Sequence, residues 1–226
     1  PKALLELEHG TTILDRQLEA AATSGIKQVW VVVGYEAEQI ESKLDSRSDL
    51  GLDIGTFYNP FFRTTSNLVS IWMARPAMAE DFIILNGDDI FRPSVLSNLM
   101  KADGDLQAVI SRKSRYDSDD SKILIEGQNI VEISKDLSVS QTNGEWVGIC
   151  AVRGPALASY VGVLDRIIRD AAFQNGPHYL SFYQELIDSG QVMRYHEIAS
   201  EDWAEIDYQM DLDFVQANMT RYVDPS

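Results

Sequence analysis

The sequence predicts one α/β domain over residues 1–226, with a mostly parallel sheet flanked by helices and a small antiparallel insert. Three observations predict it. The continuous β-branched run Gln28–Val33 (QVWVVV) is typical of a strand covered on both faces, as in a parallel sheet. Helical and strand-like segments alternate from residue 12 to residue 111. Short apolar pieces separated by turn signals then follow between residues 123 and 152, as antiparallel strands do.

Taken in order, Ile13, Leu14, Leu18, Ala21 and Ala22 recur at helical spacing between Thr12 and Ser24, and Gly25 stands where helices commonly end in a left-handed residue. Gln28–Val33 is closed by Gly34-Tyr35, and Glu36–Leu44 reads as a helix whose first-turn acids favour the macrodipole. Leu52–Phe57 is a weaker strand before the Asn59-Pro60 turn. Ser66 stands as N-cap of a helix carrying Leu68, Ile71, Trp72 and Ala74, which Pro76 limits. Phe82–Leu85 is the second strong apolar strand, and Pro93 opens a helix whose apolar face is Val95, Leu96, Leu99 and Met100. Leu106–Ser111 is a further strand. Beyond the polar loop Ser114–Ser121, the pieces Ile123–Ile125, Ile130–Ile133 and Trp146–Val152 form the insert, punctuated at Gly127 and Asn143-Gly144. Helices at Pro155–Ala172 and Leu180–Ser189, a strand at Met193–His196 and a helix at Leu212–Tyr222 complete the chain.

Composition bounds the function. With 45% apolar and 24% charged residues, a chain of this length buries a core without a covalent staple. The single cysteine, Cys150, rules out an intramolecular disulfide, and no Cys/His cluster has zinc spacing, so a reducing cytoplasm is expected. No run of about 18 uncharged apolar residues and no basic leader is present, so neither a membrane span nor export is expected. A formal net charge of -16 repels polyphosphate backbones and argues against a general nucleic-acid binder. An anionic small molecule remains compatible, because a cation or local lysines reverse the field within one pocket.

Ligands of open α/β sheets collect beyond the carboxyl ends of the strands, where Gly34-Tyr35 and Gly87-Asp88-Asp89 both stand. A buried strand ending in glycine and two carboxylates suits a hard cation, since magnesium takes one or two carboxylates and fills its other positions with water and phosphate. The same aspartates equally suit a helix cap or a turn. Trp203-Ala204-Glu205-Ile206-Asp207 reads as a short strand ending in acid, and carboxylates from two such strands can clamp one dication; alternatively, Asp207 starts the terminal helix. His9, His178 and His196 share no ligand spacing, Cys150 reads as a small core residue, and no GxSxG sequence marks a covalent hydrolase.

The opening PKALLELEHGTTILDRQLEAAATSGIKQVWVVVGYEAEQIE, with TTSNLVSIWMA, NGDDIF and WAEID, resembles the nucleoside-triphosphate transferase family, and within it the phosphocholine and phosphonate cytidylyltransferase branch. The similarity is strongest over residues 1–100 and returns at 145–152 and 203–213. The resemblance implies a Rossmann-like nucleotidyltransferase domain that moves CMP from CTP onto a small acceptor such as phosphocholine or 2-aminoethylphosphonate and releases pyrophosphate. By position, Lys2 matches a phosphate-contacting lysine, and Asp88 and Asp207 match the pair that holds Mg2+. Gly34, Tyr35, Ser66 and Asn67 fall where the family surrounds the nucleotide. Lys135 resembles a lysine on the acceptor phosphate, and Glu145 with Gly148 matches an acceptor-side loop. A cationic head on the acceptor fits Trp146, Tyr179, Tyr183 or Trp203 as π faces and Glu145 as counter-charge.

The family's first strand and Gly-rich loop, which precede the position of Pro1 and cradle the triphosphate, are missing from residues 1–226. Two alternatives stay open: a metal-dependent glycosyltransferase of GT-A type, releasing a nucleoside diphosphate, and a non-catalytic nucleotide-binding module of the same fold. The expected partners are CTP and the phosphorylated or phosphonate acceptor, with a homodimer as a compatible assembly.

Overall fold

A capping box starts the first long helix: the Asp15 N–H donates to Thr12 Oγ1 at 3.2 Å, and Asp15 Oδ2 accepts from the Thr12 N–H at 2.8 Å. The computed structural model describes residues 1–170 and 179–224. Its elements are β1 (Glu6–Glu8), β2 (Thr11–Thr12), α1 (Ile13–Thr23), β3 (Gln28–Val33), α2 (Ala37–Asp45), β4 (Asp53–Tyr58), α3 (Asn67–Met73), β5 (Phe82–Leu85), β6 (Asp89–Phe91), α4 (Pro93–Lys101), β7 (Leu106–Ser111), β8 (Lys122–Glu126), β9 (Asn129–Ile133), β10 (Gly144–Val152), α5 (Ala156–Arg169), α6 (Tyr179–Asp188), β11 (Met193–Ile198), β12 (Trp203–Glu205) and α7 (Gln209–Ala217). Ala172 and His178 lie outside the described residues. The chain divides into two compact units, Pro1–Tyr58 with Leu85–Ala102 and Ile198–Ser226, and Asn59–Ile84 with Asp103–Glu197.

In the first unit, β3 and β4 pair in parallel from Gln28↔Asp53 to Val33↔Tyr58. Trp30 lies across its neighbour so closely that a Cβ on Gly55 would come within 2.2 Å of the indole, so a side chain there would require the indole to move. Leu14, Leu18, Val33, Ile40 and Leu44 pack α1 and α2 together around this pair. A second cluster, Leu7, Ile13, Ile90, Ile206, Leu212 and Val215, ties β1, α1 and α7 to the antiparallel pair β6–β12. Each such fully buried side chain contributes roughly 1.5–3 kcal/mol of transfer free energy.

The second unit is organised around β10, every residue of which is buried. β10, β7, β11, β9 and β8 follow one another, and β8 pairs back to β10, so five strands close into a barrel-like ring, with β5 joined to β10. Tyr160 of α5 and Phe182 and Tyr183 of α6 are fully buried beside it, and the Tyr160 and Tyr183 hydroxyls share a 3.1 Å hydrogen bond.

The sheets are mixed and do not establish the expected mostly parallel arrangement: β3–β4 is parallel, whereas β1–β2, β7–β10, β8–β10, β9–β11, β6–β12 and β8–β9 are antiparallel. Continuous apolar runs report burial on both faces, which a closed ring under helices supplies as well as a parallel sheet does, and they are blind to strand direction. The strands expected at 28–33, 82–85 and 106–111 occupy those residues. The expected terminal helix is instead α7, followed after Asn218 by a 3-10 turn over Met219–Tyr222. Among the described residues no helix is long and apolar enough to cross a membrane.

Candidate active site

The register of β6 against β12 creates the site. Glu205 stands opposite Asp89, and the next backbone bond, Ile206 N–H to the Asp88 carbonyl at 3.1 Å, extends the pairing into the turn after β5. Ile90 and Ile206, each 1% exposed, anchor the two strands in the core. The flanking acids, Asp88 and Asp207, are thereby brought together from distant parts of the chain. Asp207 is fixed further because Asp211 Oδ2 accepts from the N–H groups of both Asp207 and Tyr208, closing the start of α7.

One oxygen from each of Asp88, Glu205 and Asp207 can be chosen so that all three lie within 4.8 Å of one another. Lys2, in a 3-10 turn, reaches into this group: its Nζ donates to Asp88 Oδ2 at 3.1 Å and to Asp207 Oδ1 at 2.5 Å. Partial burial disfavours the ammonium, but the bonds to Asp207 and Asp88 outweigh it and hold Lys2 above the ordinary lysine range. Asp89 is 1% exposed, and among the described residues neither carboxylate oxygen has a hydrogen-bond partner. Burial, reinforced by the charges of Asp88, Glu205 and Asp207 and opposed by Lys2, pushes its carboxyl well above the usual range. The two adjacent aspartates therefore stand in different surroundings: Asp88 faces the acidic cluster and Asp89 is buried. Neither caps α4, whose N-cap is Arg92, and the N-cap of α7 is Tyr208, not Asp207.

The MobA-like NTP transferase domain matches residues 1–187. The chain belongs to that family. It is 24% identical over 215 residues to the bifunctional IPC transferase and DIPP synthase of Rubrobacter xylanophilus, covering 94% of this chain and 46% of that protein. It is 35% identical over 102 residues to the CMP-5'-(3-aminopropyl)phosphonate synthase of Streptomyces rubellomurinus, covering 45% of this chain and 16% of that protein. The CTP:phosphoglutamine cytidylyltransferase of Campylobacter jejuni is 23% identical over 234 residues, covering 94% of this chain and 90% of the relative. The chain thus spans less than half the length of the first two relatives. Among solved structures, the inositol-1-phosphate CTP transferase of T. maritima superposes with a TM-score of 0.78 at 21% identity, covering 98% of this chain and 87% of its own. The CTP:phosphocholine cytidylyltransferase of Streptococcus pneumoniae does so with a TM-score of 0.72 at 17% identity, covering 97% and 90%. These establish the nucleotidyltransferase fold.

In this NTP transferase domain, Gly34 and Tyr35 follow β3 in the same unit as the acids; Gly34, Glu36, Ala37 and Tyr58 line a concavity at the carboxyl ends of β3 and β4, and Tyr35 is 52% exposed. Ser66, Asn67, Lys135, Glu145, Trp146 and Gly148 belong to the other unit. Ser66 precedes α3 without a side-chain cap bond, its hydroxyl buried and without a hydrogen-bond partner among the described residues, and Asn67 is exposed at the first turn. Lys135 is exposed past the end of β9.

Glu145 is 8% exposed and accepts an ion pair from Lys113 Nζ at 3.0 Å, while the same ammonium reaches Asp120 at 2.6 Å. Burial raises the Glu145 carboxyl to about 7 against the opposing pull of Lys113. Gly148, at φ +77°, sits in the stretch of β10 where the register to β7 slips between Trp146 and Cys150, a bulge that favours glycine. Trp146 is 3% exposed, stacked on Tyr179 at 5.2 Å and edge-on to Tyr183 at 4.2 Å, with its indole N–H bonded to the Ile149 carbonyl. Trp203 belongs to the first unit. Sequence reasoning did not assign roles to Glu205, Lys113 or Gln17; for Gln17 the available signal was its place on the apolar stripe of α1, between Leu14 and Leu18.

Proposed function

We propose that this chain is a cytidylyltransferase: it transfers CMP from CTP to a small phosphate or phosphonate acceptor, such as phosphocholine or 2-aminoethylphosphonate, and releases pyrophosphate. The observation that carries this reading is the convergence of Asp88, Glu205 and Asp207 on one point shared with Lys2. An oxygen-only donor set of this kind suits magnesium, which Asp88 and Asp207 would hold. When bound, the ion supplies charge neutralisation for phosphoryl chemistry.

The chain's own residues then do the following. Lys2 neutralises phosphate charge, and in the nucleotide-free protein the same ammonium balances the aspartates. An acceptor oxygen, already ionised, attacks the α-phosphorus; the bond from α-phosphorus to the bridging oxygen breaks, and pyrophosphate leaves with that electron pair. No general base is required. Catalysis is mainly alignment and electrostatic stabilisation, which supply several kcal/mol. Gly34, Tyr35, Ser66 and Asn67 take the nucleotide-facing roles in this reading, and Lys135, Glu145, Trp146 and Gly148 the acceptor-facing ones. The same reading takes residues 1–226 as one catalytic domain working in the cytoplasm. Similarity to a phosphonate CMP synthase and a phosphoglutamine cytidylyltransferase supports the cytidylyl-transfer reading.

The test is a product assay on the full-length protein with a panel of nucleoside triphosphates and acceptors. Pyrophosphate and a CMP conjugate are expected from CTP; a nucleoside diphosphate released from a sugar nucleotide indicates glycosyl transfer, and nucleotide binding without any product indicates a regulatory module.

A further inference from the structure

Gln17 lies on the core-facing stripe of α1, where Ile13, Leu14, Leu18 and Ala21 are apolar and buried, yet it is a polar residue only 8% exposed. A buried primary amide is costly unless its hydrogens are satisfied. Here both are: Gln17 Nε2 donates to the Asn86 carbonyl at 2.9 Å and to the Asp89 carbonyl at 2.8 Å. Those two carbonyls bracket Gly87 and Asp88. The Asp88 carbonyl between them accepts from the Ile206 N–H at 3.1 Å. The turn that presents Asp88 is thus held at both ends by one side chain and in the middle by the strand that leads to Asp207.

The chemistry of the amide explains the choice of residue. Two donors on one nitrogen are needed to reach two acceptors, and leucine or methionine at this position supplies none. Glutamate is nearly the same shape but offers only acceptors, which would face two carbonyl oxygens. Thr, Ser and Asn are too short to span from α1 to the turn in this register. We infer that Gln17, whose buried amide donates to these two carbonyls, is the positioning residue for Asp88: it fixes the turn so that the Asp88 carboxylate meets those of Glu205 and Asp207. This rests on the cation reading given above. It extends that reading to a residue outside the acidic cluster, because replacing an outer partner that orients a ligand typically costs about ten- to a hundredfold in metal affinity.

The experiment compares Gln17→Met, Gln17→Glu, Asp88→Asn and Leu44→Ala, the last removing buried volume in the other cluster of the same unit. Each is measured for Mn2+ affinity of the nucleotide-free protein by calorimetry, for melting temperature, and for hydrogen exchange at the Ile206 amide. Gln17→Met and Gln17→Glu are expected to weaken Mn2+ binding by about tenfold and to speed exchange at Ile206. Leu44→Ala is expected to lower the melting temperature at least as much while leaving Mn2+ affinity and Ile206 exchange as in the parent. Parental Mn2+ affinity and Ile206 protection in both Gln17 variants overturn the inference. An equal loss of Mn2+ affinity in Leu44→Ala also overturns it, by reducing Gln17 to general stability. Asp88→Asn binding Mn2+ like the parent overturns the cation reading itself, and is recognised separately because exchange at Ile206 still reports whether Gln17 pins the turn.

Discussion

The Lys2 ammonium lies 3.1 Å from Asp88 Oδ2, so in the nucleotide-free protein a side-chain cation stands beside the carboxylate that the proposed mechanism assigns to magnesium. The same ammonium also bonds Asp207, and the Lys2 side chain is 44% exposed, so this pairing is partly screened and modest in strength. In that mechanism Lys2 competes with a dication for the acids and takes phosphate as its own partner once nucleotide binds. Replacing it with methionine is expected to tighten Mn2+ binding to the nucleotide-free protein by about two- to fivefold, the range set by an exposed ion pair. The same substitution is expected to lower kcat/KM by about a hundredfold or more, because a charge facing the reacting phosphate is lost. Calorimetry with Mn2+ and a pyrophosphate-release assay measure the two effects; a variant that loses both activity and Mn2+ affinity contradicts the competition.

Asp88 stands in a turn with its side chain 26% exposed. Asp88→Ala is accordingly expected to abolish turnover while changing stability by about 1 kcal/mol or less. Steady-state kinetics and thermal melts separate the two quantities. Full activity in this variant removes the mechanism.

Asp15 predicts how the first unit responds to acid. It is 2% exposed, caps α1 and is ion-paired to Lys43 at 2.7 Å and to Arg47. Burial works against its ionisation, but the bonds from Lys43, the Thr12 N–H and hydroxyl, and Arg47 prevail and hold the carboxyl at about 2, below the ordinary 3.8. A depressed carboxyl contributes stability above its unfolded value and loses it as pH falls through the folded one. The contribution is thus complete above about pH 4 and is lost towards pH 2. Asp15→Asn is expected to cost about 2–4 kcal/mol at neutral pH, since two cations lose a buried partner, and the gap to the parent narrows between pH 4 and 2. Melting temperatures across that range decide it; a gap independent of pH assigns the effect to packing.

What the sequence disclosed follows from what each signal measures. The runs at 28–33 and 106–111 are unmistakable because branched apolar residues are continuous there, whereas the ring formed by β7–β11 depends on pairings between distant segments that leave no local trace. Asp88 and Asp207 stood out because each ends or follows an apolar strand. Glu205 joined them through the β6–β12 register, which sequence spacing does not encode. Gln17 and Asp89 were opaque for a shared reason: a buried polar side chain takes its meaning from the tertiary groups around it, two carbonyls for one and three carboxylates for the other. Only the place of Gln17 on an apolar stripe hinted at its burial.

Glu145 carries the last prediction, and its sign is opposite to that of Asp15. Burial lifts its carboxyl from 4.5 to about 7, with Lys113 opposing and Asp120 adding to the rise. Between those values the folded protein holds a proton that the unfolded chain has released. The resulting stability is complete below about pH 4.5 and is lost as pH rises through 7. Glu145→Gln keeps the shape and removes the titration, so its melting temperature is expected to gain on the parent from pH 5 to pH 8, with the Lys113 to Asp120 pair left as the local charge balance. If Glu145 also balances a cationic acceptor head, the variant shows a raised KM for that acceptor at pH 8, where the parent carries the negative charge, and a much smaller change at pH 5.5, where it does not. Equal effects on KM at both pH values separate the residue from acceptor recognition and confine it to the core of its unit.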